Sequence, residues 1–466
     1  MKQFLLLSTL VLLTTIGAMI SPFWPLLLYY GLAVMRPQAL WNWALPMEVR
    51  WSLVAACLLF LSVFLHLSGL FKRIRLTPVL IALMGFSICL LLSTLTAYDT
   101  HSARVWGMEY AKVLLVAVLA MLVIERLWQI RAMALMIMVG VGYVAYTFNY
   151  QYLFEGYRMD IFHRGYAGLD NNGAGLMMAM GIPIAYAFAM GAGGPGRLWL
   201  RIAAAAAGLF MIHATMLSYS RGAMVAGCAG LLWLACRHTP RWQAAGGAVI
   251  LVVAMAVLAG PEIRQEFLSA QHYDTDPSAQ SRFVTWSAAW AITMDHPILG
   301  TGIRNSPLLI QNYGTQNPNR TVHNQYLQIS ADSGIPALAL YLTIVGIAFY
   351  NLGSVAKQAT RTLKNQKELD PDVQNDLRQS ALVCIGLQTS LVTFLVGGVF
   401  LSLEVFEFAW LLIVLGAVVP TALRNRLQQT EPEELTPGNE PEPWLVPGPK
   451  PTSHQPLPAG LRLRGA

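Results

Sequence analysis

Residues 77–97 read Thr-Pro-Val-Leu-Ile-Ala-Leu-Met-Gly-Phe-Ser-Ile-Cys-Leu-Leu-Leu-Ser-Thr-Leu-Thr-Ala, preceded by Lys72, Arg73 and Arg75. The run holds no charge, and a helix of that length rises about 30 Å, the thickness of a hydrocarbon layer. Lipid cannot satisfy an open backbone, so the run must be helical. Similar runs lie near residues 51–70, 104–124, 130–150, 173–191, 198–217, 220–237, 242–260, 335–353, 380–400 and 404–424. Of 466 residues, 55% are hydrophobic and 12% charged, about half the charged share of a soluble domain. The expected fold class is an all-α polytopic membrane protein, with about twelve transmembrane helices and a large periplasmic loop.

The net charge of +7 comes from basic residues in short connectors, with no interleaved basic and aromatic stripe of the kind that binds nucleic acid. Lys72, Arg73 and Arg75, then Arg126 and Arg131, Arg197 and Arg201, Arg237 and Arg241, and Lys357, Arg361, Lys364 and Lys367 fall on every second loop. By the positive-inside rule these loops are cytoplasmic, as is the C-terminus. The connectors near 98–103, 151–172, 218–220, 261–334 and 401–403 are then periplasmic.

Counting back, residues 1–36 make one net crossing with Lys2 inside, Pro22 and Pro25 dividing them into a span and a short interfacial piece. The run from Phe4 to Ile20 resembles a signal peptide but lacks a small-x-small cleavage site, and it is expected to be retained. The five cysteines all fall inside apolar runs without metal-ligand spacing, and read as buried small hydrophobes.

The expected organisation is N-terminal transmembrane helices over 1–260, a large periplasmic loop over 261–334, C-terminal transmembrane helices over 335–426, and a disordered cytoplasmic tail over 427–466 that is rich in Pro and Glu. No inverted repeat of the transporter kind is visible by inspection.

Polar side chains at membrane depth or at the mouth of a span are costly and mark functional cavities. Four segments stand out: Arg164-Gly-Tyr-Ala-Gly-Leu-Asp170-Asn171-Asn172, Ser218-Tyr-Ser220-Arg221-Gly222, Ser281-Arg282-x3-Trp286, and Val322-His323-Asn324-Gln325-Tyr326. The charge-derived topology puts all four in the same compartment. Arg221 opens an apolar helix, so its guanidinium and the free helix N–H groups face one mouth, which suits a phosphate; an arginine there can equally snorkel to lipid headgroups. Arg282 lies one turn before Trp286 and, alone, reads equally as a structural salt-bridge residue.

A neutral imidazole at His323 can take a proton from a hydroxyl near pH 7. His163, His272 and His296 share its compartment, and composition does not rank them below it. Asn324 and Gln325 can orient an imidazole or hold sugar hydroxyls. Glu109 and Lys112 can pair at i, i+3, and Glu404 and Glu407 can pair with an arginine at the periplasmic mouth. There is no Gly-rich nucleotide loop, no paired Asp at metal spacing and no nucleophile elbow.

In this order, Asp170-Asn-Asn, Ser220-Arg221-Gly-Ala, Ser281-Arg282-x3-Trp, His-Pro-Ile-Leu-Gly-Thr-Gly over 296–302, and His323-Asn324-x-Tyr-x4-Ala-x2-Gly334 resemble the O-antigen ligase and polymerase superfamily, over residues 104–350. Met-Arg-Pro-Gln at 35–38 and the segment around Asp170 look closest to the O-glycosylation ligases that accompany the exosortase A system of exopolysaccharide producers. The resemblance implies a GT-C-like glycosyltransferase of the bacterial inner membrane whose active site faces the periplasm. It also implies transfer of a glycan en bloc from undecaprenyl diphosphate to an acceptor hydroxyl on a protein or on lipid A core, without metal or other cofactor and with inversion.

Carried over by motif, Arg221 and Arg282 hold the donor diphosphate and His323 is the catalytic base; Arg164, Asp170 and Asn324 are secondary candidates for contacts with the substrate. The implied partners are the lipid-linked glycan, the acceptor and membrane lipid, with no nucleic acid. A polysaccharide polymerase of the same superfamily is the nearest alternative, and a lipid-linked glycan transporter or flippase a more distant one.

Overall fold

The computed structural model describes residues 2–46, 49–71, 76–156, 161–194, 196–237, 242, 246, 277–314, 320–365 and 369–429. All but residues 242 and 246 of the expected span at 242–260, with His272, the start of the large loop and nearly all of the tail, lie outside the described residues. Among those described there is no β-strand, only a single bridge between Tyr166 and Leu169. The principal helices are α1 Lys2–Ile20, α2 Phe23–Met35, α3 Trp51–Leu65, α4 Pro78–Leu95, α5 Thr100–Val123, α6 Leu127–Phe154 and α7 Asn171–Ala187, followed by α8 Leu198–Leu217, α9 Arg221–Arg237, α10 Pro277–Asp295, α11 Gln325–Asn365, α12 Pro371–Gly397 and α13 Glu407–Gln428. Among the described residues nine helices are long and apolar enough to cross a membrane, and α2 and α3 are shorter apolar helices.

Local chemistry sets the boundaries. Thr77 caps α4 by accepting from Leu80 N–H at 3.3 Å, with Pro78 in the first turn, where no N–H is missed. Asp370 and Pro371 start α12 in the same way. The expected span at 335–353 is the apolar part of a longer helix. α11 begins at Gln325 with a polar segment that is buried in protein, then breaks at Gly334, where φ is 87°. α12 starts before its expected apolar run because its first turns are hydrophilic.

At the centre stands α7, buried along almost its whole length and packed by α6, α8, α9 and α12. Cross-links fix the polarity of the bundle. One end gathers the C-termini of α2, α4, α6, α8 and α12 with the N-termini of α5, α7, α9, α11 and α13. Bonds there join Asp99 to Asn305, Ser93 to Asp332, Asn171 to Ser218, Gln325 to Gly398 and Arg36 to Glu407. The opposite end is closed by Asp376, which pairs with both Arg131 and Arg426 at 2.7 Å.

One expectation is corrected at the N-terminus. α1 and α2 are antiparallel, so residues 1–36 do not make a single net crossing. Phe4 packs on Trp51, Ser62 Oγ donates to Ala18 O at 2.6 Å, and Phe23 packs on Trp128 near the Asp376 end. Lys2 therefore lies at the same end as the four motif segments. Nor is α2 an interfacial piece: Phe23, Leu26, Tyr29 and Tyr30 are buried against the bundle, and Pro25 sits in its first turn, where a proline is tolerated. Of the cysteines only Cys384 is buried; Cys57, Cys228 and Cys236 lie on outward helix faces.

Candidate functional site

Five non-glycine residues among those described adopt left-handed backbone angles: Arg36, Ala167, Tyr219, Arg304 and His323, with φ between 47° and 58°. Each costs about 1–2 kcal/mol. All five lie at the one end that carries the motif segments, Arg304 and His323 sharing the connector between α10 and α11. Strain of this kind persists only where surrounding contacts fix the backbone, and here those contacts are explicit.

The segment from Arg164 to Asn172 is tied from both sides. Arg36, between the MRPQ residues, donates from Nη1 to Ala167 O and pairs through Nη2 with Glu407 at 3.0 Å, while Tyr166 OH donates to Met35 O. On the other side Asn171 Nδ2 donates to Ser218 O at 3.1 Å and Ser220 Oγ donates to Asn172 Oδ1 at 2.7 Å. Ser220 also accepts from Ala223 N–H at 3.2 Å and so caps α9, fixing the half-buried Arg221 at the first position of that helix. Phe400, from the α12–α13 connector, packs so closely on Gly222 that a Cβ there would push it aside by a few tenths of an ångström. Gly398 of the same connector accepts from Gln325 N–H at 2.8 Å, and this carries the Arg221 corner to the foot of α11.

Beside that foot lies α10. Thr285 Oγ1, one turn beyond Arg282, reaches Arg282 O at 2.9 Å and Val322 O at 3.3 Å, which stitches the arginine's helix to the residue before His323. The imidazole is partly buried, and burial lowers its pKa from the ordinary 6.5; Arg282, Arg320 and Arg304 push it further down, while Asp170 opposes them. His323 is thus neutral near pH 7 and able to accept a proton.

Behind this surface is a buried polar network on which the 296–302 motif is built. Asp332 Oδ1 accepts from Ser306 N–H at 2.9 Å, and its Oδ2 accepts from Arg304 N–H at 2.9 Å and Gln328 Nε2 at 2.7 Å. Its carbonyl takes Gly302 N–H at 2.9 Å and Ser93 Oγ at 2.7 Å. Gly300 lies flat on the Asp332 backbone and Gly334 on the Ile298 carbonyl; a Cβ on either would collide, and both have positive φ. Arg304 stacks over Trp106 at 4.6 Å and pairs with Glu404 at 3.2 Å. Burial pushes the Glu404 carboxyl up and Arg304 pulls it back down.

The six sequence candidates therefore divide. Arg282 and Asp170 both lie within electrostatic reach of His323, and the Asn172–Ser220 contact ties the Arg221 corner to the Asp170 segment. Arg164 stands exposed at the end of a short helix. Asp170 caps α7 through Gly173 N–H at 2.7 Å. Asn324 caps α11, its Oδ1 accepting from Tyr326 and Leu327 N–H, which leaves only its Nδ2 side for other work. Gln325 is wholly structural, bonded to Tyr341 OH and Leu403 N–H. Glu404 and Glu407 do pair with arginines at this end, Arg304 and Arg36. Glu109 and Lys112 pair at 2.6 Å on an exposed face.

Sequence reasoning passed over Arg304, Arg320 and Asp332. A signal for two of them existed. Arg304 is the only charge between His296 and Arg320, and Asp332 precedes a span in which no cation stands near it, so each needs a partner from elsewhere in the chain.

Residues 206–342 match the family model described as O-antigen ligase, and residues 1–156 match a model described as a family of unknown function. No curated protein matches the chain. The first match covers Ser220-Arg221, Arg282, the 296–302 motif and His323; the second covers the MRPQ segment but stops short of Arg164.

Proposed function

We propose that this chain is a membrane glycan ligase, which transfers an oligo- or polysaccharide from undecaprenyl diphosphate to an acceptor hydroxyl at the end of the bundle that carries the motif loops. The observation that carries the reading is the meeting of a neutral histidine, on a backbone held in a strained conformation, with Arg282, Arg304 and Arg320, inside the stretch that matches the O-antigen ligase family. His323 removes the proton of the incoming hydroxyl as its oxygen attacks the anomeric carbon. The bond to the diphosphate breaks on the opposite face, and Arg221 and Arg282 take up the charge that develops on the leaving group. One displacement inverts the anomeric centre, and the chemistry asks for no metal.

The acceptor is a protein or lipid A core hydroxyl, and the compartment is the periplasmic side of the inner membrane. The closer assignment, to the O-glycosylation ligases that accompany exosortase, is supported by the way Met35 and Arg36 clasp Tyr166 and Ala167: the two segments that carry that likeness act as one unit.

The test is glycan transfer in membranes that contain the unmodified chain, His323→Ala, Arg221→Ala or Arg282→Ala at matched insertion. Lipid-linked glycan should accumulate and transfer should stop in each variant. Transfer that survives in all three would sink the site assignment and favour a transporter; a ladder of product lengths would favour a polymerase.

A further inference from the structure

At the end of the bundle away from the motif loops, α9, α11 and α12 enclose a cavity of about 720 Å³. Arg237, from the last turn of α9, and Lys357 and Arg361, one turn apart on α11, line it. Among the described residues none of the three has a carboxylate within ion-pair distance. Deeper in, the wall is aromatic: Trp233, one turn before Arg237, packs on Phe349 with ring centroids 5.3 Å apart. Two lining side chains carry polar atoms that are buried and, among the described residues, unpartnered: Trp233 Nε1 and Gln388 Oε1. The other end of the Gln388 amide is already bonded to Phe349 O at 3.0 Å. The cavity therefore offers, from the end inward, a cation cluster, one orphan donor, one orphan acceptor and an apolar floor.

We infer that this cavity binds an anionic phospholipid whose headgroup carries a free hydroxyl. The phosphate sits among Arg237, Lys357 and Arg361, since a cluster of cations between helix ends attracts anionic headgroups. The indole N–H donates to an ester oxygen, and a headgroup hydroxyl, folded back inward past the phosphate, donates to Gln388 Oε1, satisfying both orphans. The upper acyl chain covers Trp233 and Phe349. A soluble anion fills only the outer half of this arrangement. The chain's own acidic segment at 431–434 brings charge without the hydrocarbon that the floor requires. The ligand belongs to the leaflet opposite the motif loops and takes no part in their chemistry.

The full chain, purified in neutral detergent, is given dioleoyl phosphatidylglycerol, phosphatidic acid or phosphatidylcholine, and retained lipid is read by native mass spectrometry alongside the melting temperature. Phosphatidylglycerol should be retained one per chain in preference to both others and should raise the melting temperature. Lys357→Gln with Arg361→Gln, both on the exposed face, should weaken its binding roughly tenfold or more, with lipid-free melting unchanged. Arg237→Gln should act the same way to a lesser degree, and Gln388→Leu should erase the preference over phosphatidic acid. Equal retention of phosphatidylcholine overturns the inference. So does an equal gain in melting temperature from inorganic phosphate alone, or phosphatidylglycerol binding that appears only once residues 430–466 are removed.

Discussion

At the scale of single residues, the histidine's environment makes a signed prediction. A pKa lowered below the ordinary 6.5 means that the base form of His323 survives to lower pH, so the acid limb of the transfer rate should fall below that value. The neighbours that set the shift have opposite charges and so must move it in opposite directions. Asp170→Asn keeps the helix cap but removes a stabilising anion, and the acid limb should move further down; Arg320→Gln removes a repelling cation, and it should move up. A pH profile of kcat/KM for the two variants checks this, and movement in one common direction refutes the electrostatic account. The left-handed backbone makes a second prediction. His323→Gly and His323→Ala should both abolish transfer, but the glycine variant should be the more stable by about 1 kcal/mol in denaturant unfolding, because only it relieves the φ of 53°. Equal stabilities would mean that the loop relaxes once the ring is gone.

At the scale of elements, the fold was legible wherever apolar length alone decides it and obscure wherever polar residues are buried in protein. The span beginning at 77 was placed within a residue because Thr77, Pro78 and an uncharged run coincide. The start of α11 was missed by ten residues, since Gln328, Ser330 and Asp332 look like a loop until their partners on the 300–306 segment, α4 and α10 are known. For the same reason the four motif segments could be assigned to one compartment from charge, while the Arg304–Glu404 pair, which joins residues a hundred apart, could not be read from the sequence. That pair makes an element-level prediction. Glu404 is 4% exposed, and removing it strands a largely buried guanidinium, so Glu404→Leu should cost about 3 kcal/mol. Arg304→Met with Glu404→Leu should cost clearly less than the sum of the single changes, because neither member of the pair is left without the other. A double-mutant cycle on unfolding free energies measures the coupling; strict additivity would show that the two side chains act independently. Transfer should fall in the double variant even where stability recovers, since Arg304 fixes the loop that faces His323.

For the whole molecule, the antiparallel α1 and α2 decide which sides of the membrane the two termini of the helical bundle occupy. A single net crossing of residues 1–36 was the natural reading of charge, because Lys2 is the only cation before Arg36 and a lone lysine is easily assigned to the side where other cations gather. Packing overrules it. The contacts of Phe4 with Trp51, Ala18 with Ser62 and Phe23 with Trp128 run α1 down and α2 back up, and Arg36 then anchors the return at the motif end. One cation at the wrong side is a weak topological signal against the buried faces of Leu26, Tyr29 and Tyr30, which seat α2 in the bundle. Single cysteines at Lys2, Phe162 and Gln428, in a chain whose five native cysteines are replaced by serine or alanine, should therefore react differently with a membrane-impermeant maleimide on intact cells freed of their outer membrane. Lys2→Cys and Phe162→Cys should label from outside, and Gln428→Cys only after permeabilisation, because α13 runs from the motif end at Glu407 to the Asp376 end. If Lys2→Cys labels with Gln428→Cys instead, α1 lies along the surface or crosses alone. The clasp between Arg36 and Ala167 must then form without a hairpin to hold it, and Arg36→Ala should cost transfer far more than it does in a chain braced by α1.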